Sequence, residues 1–449
     1  MALKRKALKH LERWKNNPDH RALLITGARQ VGKTYLVREF ARNHYDTFIE
    51  INFVQTPSAT AIFEGDLDAR TLIANLTAFS SKPLVPGSTL IFLDEIQECP
   101  RARTAIKFLV DDGRFDYIES GSLLGVRYKE VPSYPVGYET YLRMYPLTLE
   151  EFFHANGIQP EVFEHVRACF SHRTPVAEAL HERLLKLFRL YLVVGGMPAA
   201  VQEFVNSSDL ARVLKIQRDI LAQYRQDIAR YASDKTHVHA IFDHIPAELD
   251  KKNKRFKLSD LAKTARMERY ASDFMWLADA GVALPCYNTS EPKAPLAINA
   301  QHSLLKVFLC DVGLLGAALG GTVQFELLQG NIDVNWGSLL ENAIAQQLVA
   351  HDFDLYYYDK QRVGEVDFLL QDGKSIVPLE AKSGRDFRKH AALDNLLAVQ
   401  EWRLSSAFVV CSCNIEQKSK VTYLPWYALI CIEKPELPES FVVDMNEFI

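Results

Sequence analysis

The fold of the first third of the chain is decided by the stretch Gly27-Ala-Arg-Gln-Val-Gly32-Lys33-Thr34. The stretch fits the pattern G-x-x-x-x-G-K-[ST] and lies between an apolar run that ends at Thr26 and a helical run that begins at Lys33. The two glycines allow positive φ, so consecutive N–H groups can face an anion, and the N-terminus of the following helix adds partial positive charge. We therefore predict a phosphate-binding loop whose nucleotide contacts are Gly27, Ala28, Arg29, Gln30, Val31, Gly32, Lys33, Thr34 and Tyr35.

A second buried run, Thr89–Leu93, ends in two carboxylates, Asp94 and Glu95. Parallel strands present their carboxyl ends at one edge of a sheet, so these carboxylates should lie beside the loop. Lys33 would neutralise the β- and γ-phosphates, while Thr34 and Asp94 would supply oxygen ligands to Mg²⁺. Glu95 would polarise the attacking water. The two motifs together predict an enzyme that binds ATP and Mg²⁺ and hydrolyses ATP.

Two further parts of this site stay open in the sequence. Ser120 and Ser122 follow the short apolar run Phe115–Glu119, where a polar side chain can sense the γ-phosphate. We assign that role to Ser122, although a simple turn fits the same residues. An arginine acting on a neighbouring subunit is also expected. The candidates are Arg101, Arg103, Arg127 and Arg143.

The pattern of apolar runs predicts an α/β protein with several domains. A chain of 449 residues exceeds the length that one core serves, and strands alternate with helices around the loop. We expect a domain with a parallel sheet in residues 1–150 and a helical lid in residues 151–240. A winged-helix-like domain in 241–330 would hold two helices from 258–284 and two strands, Val282–Tyr287 and Leu296–Ile298. A smaller α/β domain would follow in 331–449.

Composition excludes some classes of protein and indicates a compartment. The net charge of −4 gives no general attraction to nucleic acid or to an anionic membrane. No stretch reaches the length of about 18–20 apolar residues that a membrane span requires, and the basic N-terminus lacks the apolar run of a signal peptide. The seven scattered cysteines fit a reducing compartment. We expect a cytoplasmic protein without a membrane partner.

A second group of polar residues follows from a hairpin near the C-terminus. Asp372-Gly373 suits a two-residue turn, which would place Asp367 opposite Pro378. Glu380 would then be the diagonal neighbour of Asp367 on the same face, and Lys382, two residues further on, would share that face. The spacing therefore predicts two carboxylates and a lysine together.

The chain resembles a prokaryotic family of AAA+-like ATPases that carry a C-terminal domain of unknown function. The resemblance rests on the phosphate-binding loop, on Leu93-Asp-Glu-Ile-Gln97 and on motifs elsewhere in the chain. These are Gly121-Ser-Leu-Leu124, Tyr145-Pro-Leu-Thr-Leu-Glu-Glu-Phe152, Val194-Gly-Gly-Met-Pro198, Asp219-Ile-Leu-Ala-Gln-Tyr-Arg-Gln-Asp-Ile-Ala-Arg-Tyr231 and Asp311-Val-Gly-Leu-Leu315. One departure is Tyr138, where many relatives have a basic residue.

The resemblance implies an ATPase domain, a helical lid, a winged-helix-like middle and a C-terminal domain with a restriction-endonuclease-like, PD-(D/E)xK fold. In such a fold Asp367, Glu380 and the additional acid Glu341 would hold Mg²⁺, and Lys382 would help to activate water. Asp367, Glu380 and Lys382 are thus candidate catalytic residues for phosphodiester cleavage.

The charge of this last segment weakens the case for nucleic acid. Residues 331–449 hold 11 basic and 18 acidic residues, a formal charge of −7, whereas affinity for a phosphate backbone comes mainly from cations. Our first interpretation is an ATPase coupled to a nuclease-like domain that acts on DNA or RNA. The alternative is a signalling or chaperone-like ATPase whose C-terminal domain is an inactive module that binds a protein partner or a second copy of the chain.

Overall fold

Five parallel strands form the sheet that carries the phosphate-binding loop. The structure is a computed structural model that describes residues 3–121, 131, 133–261, 263, 266–320 and 336–435. The strands are β1 (Ala22–Thr26), β2 (Thr47–Asn52), β3 (Thr89–Asp94), β4 (Asp116–Gly121) and β5 (Glu139–Arg143). Their order is β2-β3-β4-β1-β5, and each neighbouring pair is parallel. The predicted parallel α/β sheet is confirmed, and β2 and β5 are strands that the sequence pattern did not indicate.

Helices cover both faces of this sheet. Leu90 and Phe92 of β3 face one core, whereas Ile91 and Leu93 face another, because successive side chains of a strand point to opposite faces. A strand that is buried on both faces has a continuous run of apolar residues, as the sequence of β3 does. The helices of this region are α1 (Ala7–Asn16), α2 (Lys33–His44), α3 (Ala69–Phe79) and α4 (Pro100–Asp112), with 3-10 turns at Pro57–Phe63 and Ile96–Glu98.

Six helices follow the sheet, and the sequence pattern of residues 149–230 indicates the first five of them. They are α5 (Leu149–Ala155), α6 (Pro160–His172), α7 (Glu178–Val194), α8 (Pro198–Ser207), α9 (Leu210–Tyr231) and α10 (Lys235–Asp250). Thr148 and Glu151 form a capping box at the start of α5. The break between α7 and α8 falls on the predicted Gly195-Gly196, where a Cβ on Gly195 would lie 2.2 Å from Asp311 Oδ1. The chain crosses close to Asp311 because these residues are glycines.

The middle segment contains α11 (Met267–Asp279), the hairpin of β6 (Ala283–Thr289) and β7 (Ala300–Leu309), and α12 (Val312–Ala318). The prediction of a strand at Leu296–Ile298 is wrong. Residues Leu296–Asn299 form a 3-10 turn, and the strand begins one residue later at Ala300. Where the first of the two predicted helices would begin, the described residues form a 3-10 turn, Leu258–Asp260. The winged-helix assignment stays a prediction.

The C-terminal segment adds two helices and seven strands among the described residues. They are α13 (Gly337–Ala350), β8 (Tyr356–Lys360), β9 (Gly364–Val366), β10 (Phe368–Asp372), β11 (Ser375–Ala381), α14 (Ala391–Ala398), β12 (Ala407–Cys411), β13 (Glu416–Lys418) and β14 (Val421–Pro425). Further 3-10 turns lie at Gln400–Trp402 and Trp426–Cys431. One sheet has the order β10-β11-β12-β14-β13, in which β12 is parallel to both of its neighbours.

A second sheet joins the middle and C-terminal segments. Its order is β7-β6-β8-β9, and β6 pairs in parallel with β8 through Tyr287 and Tyr356. Helix α13 packs against the same region, and Asn342 exchanges two hydrogen bonds with the backbone of Leu309. Residues on the two sides of position 330 therefore share a sheet and a core.

The C-terminal hairpin turns one residue later than the sequence predicted. Asp372 pairs with Ser375, so the turn residues are Gly373 and Lys374 rather than Asp372 and Gly373. Only Gly373 has a positive φ, of 56°. The register shifts by two residues, so that Leu369 rather than Asp367 lies opposite Pro378. A shift of two preserves which face each side chain occupies, and the predicted shared face survives the correction.

None of the helices in the described ranges combines the length and the apolarity that crossing a bilayer demands.

Candidate functional site

The phosphate-binding loop has the backbone that its glycines predict. Gly27 has a φ of 144° and Gly32 a φ of 94°. A Cβ on Gly27 would lie 2.2 Å from the carbonyl oxygen of Met144, so no larger residue fits without moving the backbone. Gly32 is the N-cap of α2, which directs the positive end of that helix into the loop. The loop thus forms the concave nest that suits a phosphate.

Lys33 lies folded back over this nest. Its side chain is buried, and Nζ donates to the carbonyl oxygens of Gly27 (2.9 Å) and Ala28 (3.0 Å). Burial lowers the pKa of Lys33 to about 8, although the charges of Glu95 and Asp94 act in the opposite direction. A phosphate in the nest would supply a stronger partner than a neutral carbonyl.

Asp94 links the ends of four structural elements. Its Oδ2 accepts from Thr34 Oγ1 (3.0 Å) and from Asn52 Nδ2 (2.8 Å). Its Oδ1 accepts from Ser120 Oγ and from the backbone N–H of Glu95. The motifs predicted the contact with Thr34. They missed Asn52, whose only sequence signal is a polar residue at the end of an alternating strand.

Glu95 occupies an unusual backbone position beside Asp94. Its φ of 56° and ψ of 48° are left-handed, a conformation that costs a non-glycine residue about 1–2 kcal/mol. Gln97 Nε2 donates to Glu95 Oε2, which fixes the direction of the carboxylate. Strained residues of this kind often lie at functional sites.

The remaining loop residues contact their surroundings instead of the nest. Arg29 Nη1 forms an ion pair with Asp227 of α9 at 2.7 Å, and the Arg29 carbonyl accepts from Tyr224. Gln30 Nε2 donates to Gln223 of α9. The Val31 carbonyl accepts from Arg5, and Ala28 packs against Gly281. Tyr35 is half exposed. The side chains of Arg29 and Gln30 therefore connect the loop to α9.

The structure describes only some of the candidates for the serine that senses the γ-phosphate and for the arginine that acts on a neighbouring subunit. Ser122 and Arg127 lie outside the described residues. Ser120, buried against Asp94, is the described serine at this position. Arg103 is not available to a neighbouring subunit, because it is buried in a bidentate pair with Glu139. Arg101 and Arg143 are exposed.

The four residues of the C-terminal group do come together. Asp367 is the single residue between β9 and β10, and its Oδ2 accepts from the Ala381 N–H at 2.8 Å. Continuing the β10–β11 register by one residue places Asp367 opposite Glu380. Lys382 Nζ donates to Glu380 Oε1 at 2.8 Å. Glu341, on α13, belongs to the same cluster because Lys306 lies within ion-pair distance of both Glu341 and Asp367.

Two lysines of the middle segment, Lys254 and Lys306, enter this cluster. Lys254 Nζ pairs with Glu341 Oε1, and Lys306 Nζ lies 3.5 Å from Glu341 Oε2 and 3.9 Å from Asp367 Oδ1. Lys306 also pairs with Glu365. Sequence analysis did not find either lysine as part of this site.

Burial and these charges set the protonation of the acids. Burial raises the pKa of Asp367 well above its usual range, and the neighbouring Glu341 and Glu380 raise it further. Burial also raises the pKa of Glu380, against the effect of Lys382. Lys306 and Lys254 overcome burial at Glu341 and lower its pKa.

The fit of this cluster to a metal ion is incomplete. Glu380 Oε2 is buried without a hydrogen-bond partner, whereas Glu341 Oε2 already faces the Lys306 ammonium at 3.5 Å. Nowhere in the part of the chain that the structure describes, however, do three or more acidic, histidine or cysteine side chains converge as metal ligands. Lys306 stands among the acids instead.

Three segments of the chain match known families. Residues 19–153 match a family described as AAA domain. Residues 185–324 and 336–429 match two domains of unknown function, DUF8612 and DUF4143. No curated protein sequence matches the chain significantly.

Several solved structures resemble the chain at low identity. A Walker-type ATPase of Pyrococcus abyssi is 13% identical, with a TM-score of 0.42 over 71% of this chain and 96% of that one. The ORC1 protein of Aeropyrum pernix, solved in complex with DNA, is 14% identical, with a TM-score of 0.29 over 73% and 95%. The RuvB branch migration motor of Thermotoga maritima is 16% identical, with a TM-score of 0.28 over 63% and 89%. These scores carry no argument about function.

The family match covers the sheet, the loop and the two carboxylates whose geometry is described above. Residues 19–153 are similar to an AAA domain, and the chain is a P-loop ATPase.

Proposed function

We propose that the chain hydrolyses ATP in a Mg²⁺-dependent reaction at the edge of the sheet where β1, β3 and β4 end. The observation that carries the proposal is the hydrogen bond of 3.0 Å from Thr34 to Asp94, which holds a hydroxyl and a carboxylate together beside the loop. Such oxygen ligands suit Mg²⁺, which supplies positive charge opposite the phosphate oxygens when bound.

The other residues of the site divide the remaining tasks. The N–H groups of the loop and the N-terminus of α2 bind the phosphates, and the Lys33 ammonium leaves its two carbonyl partners to neutralise them. Glu95, oriented by Gln97, accepts a hydrogen bond from the attacking water and takes its proton. We include a cytoplasmic setting in this proposal, because the described structure leaves the seven cysteines as free thiols.

Helix α9 is the element that would carry the nucleotide state to the rest of the chain. The loop contacts it through Arg29 and Asp227 and through the Tyr224 hydroxyl. A phosphate that draws the loop inward would change these contacts. Helix α9 also packs against α8, α10 and α12, which connect it to the middle segment.

Phosphate release tests the ATPase proposal. We expect Mg²⁺-dependent release of phosphate from ATP by the full chain, and its loss in Lys33→Ala. Arg42→Ala, which removes an exposed cation from the same helix, is the matched control and should keep the wild-type rate. Normal turnover in Lys33→Ala would remove the basis of the site assignment.

A second candidate function is metal-dependent cleavage of DNA or RNA at the C-terminal cluster. Its support is the meeting of Glu341, Asp367, Glu380 and Lys382 from four separate positions in the chain. Asp367, Glu380 and Glu341 would hold Mg²⁺, which would polarise a phosphodiester when bound, and Lys382 would orient the attacking water.

Cleavage assays decide between this candidate and the interaction module. We expect the full chain to cut DNA or RNA with Mg²⁺ or Mn²⁺, and Asp367→Asn to lose the activity. Asp372→Asn, at the exposed end of the same hairpin, is the control. If no nucleic acid is cut with or without ATP, the cluster is structural, and a protein partner or a second copy of the chain becomes the expected ligand.

A further inference from the structure

Lys306 is a fully buried lysine in the middle of a group of acids. Its side chain is 0% exposed, and its ammonium lies within ion-pair distance of Glu341, Glu365 and Asp367. These acids belong to α13, β9 and the residue after β9, whereas Lys306 belongs to β7. A lysine is almost never buried unless acids surround it, so this arrangement is specific.

The position of Lys306 is fixed by its strand. It lies opposite Cys286 in the β6–β7 pairing, and its ammonium faces the ring of Tyr357 at 5.0 Å. β7 is antiparallel to β6 along its length, and β6 joins the sheet to β8. The strand pairing fixes the backbone of Lys306, and its fully buried side chain places the ammonium among the acids.

Two more lysines neutralise the same cluster. Lys254 pairs with Glu341, and Lys382 pairs with Glu380. Four carboxylates thus meet three ammonium groups. Glu380 Oε2 is buried without a hydrogen-bond partner, so the three ammonium groups do not satisfy every carboxylate oxygen of the cluster.

A divalent ion at these oxygens would lie beside the fixed ammonium of Lys306. Two positive charges at such a short distance repel each other strongly where water is excluded. The ion would also have to give up its own hydration. Carboxylate oxygens of Glu341, Glu365 and Asp367 lie within 3.9 Å of the Lys306 ammonium, and this opposing charge comes from another segment of the chain.

We propose that Lys306 is a built-in counter-cation that keeps the cluster of Glu341, Glu365, Asp367 and Glu380 from binding a divalent ion tightly, so that removing its charge creates a tight divalent-cation site. The inference goes beyond the second candidate function, although both concern the same cluster. It concerns the binding of the ion, so it holds or fails separately from any cleavage of nucleic acid.

Binding of Mn²⁺, measured by electron paramagnetic resonance without nucleotide, tests the proposal. The full chain with Asp94→Asn serves as the background, so that the ATPase site does not contribute. We expect Lys306→Met to bind one Mn²⁺ at least about tenfold more tightly than this background, a factor that corresponds to about 1.4 kcal/mol. Adding Asp367→Asn to Lys306→Met should abolish the gain. Lys389→Met, at an exposed pair, should change nothing.

Two further measurements guard against a variant that does not fold. Lys306→Met combined with Glu365→Gln removes the charge together with its closest partner, and it should still bind Mn²⁺ more tightly than the background. Lys306→Arg, which keeps the charge, should bind as weakly as the background. Equal affinity in the background and in folded Lys306→Met variants would overturn the proposal, as would tight binding by the background alone. Tight Mn²⁺ binding by Lys306→Met, together with no cleavage of DNA or RNA by the wild-type chain, would support the inference and exclude the second candidate function.

Discussion

Thr34 and Asp94 come from two different motifs, sixty residues apart, and meet through a hydrogen bond of 3.0 Å. The bond joins the first turn of α2 to the end of β3 and holds both oxygens at the mouth of the phosphate-binding loop. Asn52 and Ser120 bond the same carboxylate from the two neighbouring strands. These hydrogen bonds fix the carboxylate in place before any nucleotide binds.

Asn52→Ala should slow ATP hydrolysis. The amide of Asn52 donates to Asp94 Oδ2 at 2.8 Å, and a hydrogen bond to a charged group contributes about 1.5–3 kcal/mol. If that energy fixes the carboxylate for reaction, kcat falls by about 10- to 100-fold. Steady-state phosphate release measures this, with Asn206→Ala on the exposed side of α8 as the control. An unchanged kcat would show that Asn52 does not position Asp94.

Gly27→Ala should destabilise the protein more than Gly65→Ala. Both glycines have positive φ, so each alanine meets a backbone cost of about 1–2 kcal/mol. Only at Gly27 does the new Cβ collide with backbone, 2.2 Å from Met144 O, whereas Gly65 has open space. Thermal unfolding should show the larger fall in Tm for Gly27→Ala, together with loss of ATP binding. Equal changes in Tm would contradict the close packing of the loop against Met144.

ATP affinity should depend on the protonation of Lys33. Burial lowers its pKa to about 8, so without nucleotide the ammonium loses its proton as the pH rises through that value. Phosphate favours the charged form, and ATP binding above about pH 8 must therefore take up a proton. Calorimetry in buffers of different ionisation enthalpy should detect this uptake at pH 8.5, with weaker affinity than at pH 7. Lys33→Arg, which stays charged, should show neither effect.

The same shift of pKa has a consequence for stability. The unfolded chain holds the Lys33 proton up to a pKa near 10.5, whereas the native state releases it near 8. Unfolding takes up a proton between these values, so the contribution of Lys33 to stability rises as the pH increases from 8 to 10.5. Urea unfolding of the wild type and of Lys33→Met across this window should show the rise only in the wild type.

Arg103→Met should make the domain with the parallel sheet easier to unfold, because it leaves the buried Glu139 carboxylate without its ion-pair partner. The ion pair measures 2.9 Å and both side chains are 2% exposed. Breaking one partner of such a pair costs about 3–5 kcal/mol. Arg114→Met removes an exposed pair with Asp112 and should change the stability far less. Denaturant unfolding compares the two. A stable Arg103→Met variant that has lost only ATP hydrolysis would restore the catalytic interpretation of Arg103.

The sequence predicted the parts of this structure that depend on local chemistry. Gly27 and Gly32 must adopt positive φ, and Asp94 follows a strand apolar enough to be recognised as buried. The hairpin near the C-terminus was placed one residue early, because Asp372-Gly373 and Gly373-Lys374 both fit a short turn. Its shared face was nevertheless right, since a shift of two residues in register preserves the alternation.

Long-range contacts were beyond prediction from local patterns. Asn52 reaches Asp94 only because β2 lies beside β3, and β2 itself was not recognised. Lys306 lies more than thirty residues before Glu341 and occurs in a strand with no motif. Arg103 is a candidate for the arginine that acts on a neighbouring subunit when only the sequence is considered, because no sequence pattern indicates Glu139 as its partner. Each of these contacts depends on which strands become neighbours.

Phosphate release from Mg²⁺-ATP should be measured for the wild type and for Asp94→Asn, with nucleotide binding followed in the same samples. We expect turnover by the wild type, a fall of at least about 100-fold in Asp94→Asn, and continued binding of ATP without Mg²⁺ by both proteins. Turnover by Asp94→Asn at the wild-type rate would contradict the claim that ATP is hydrolysed at Thr34 and Asp94.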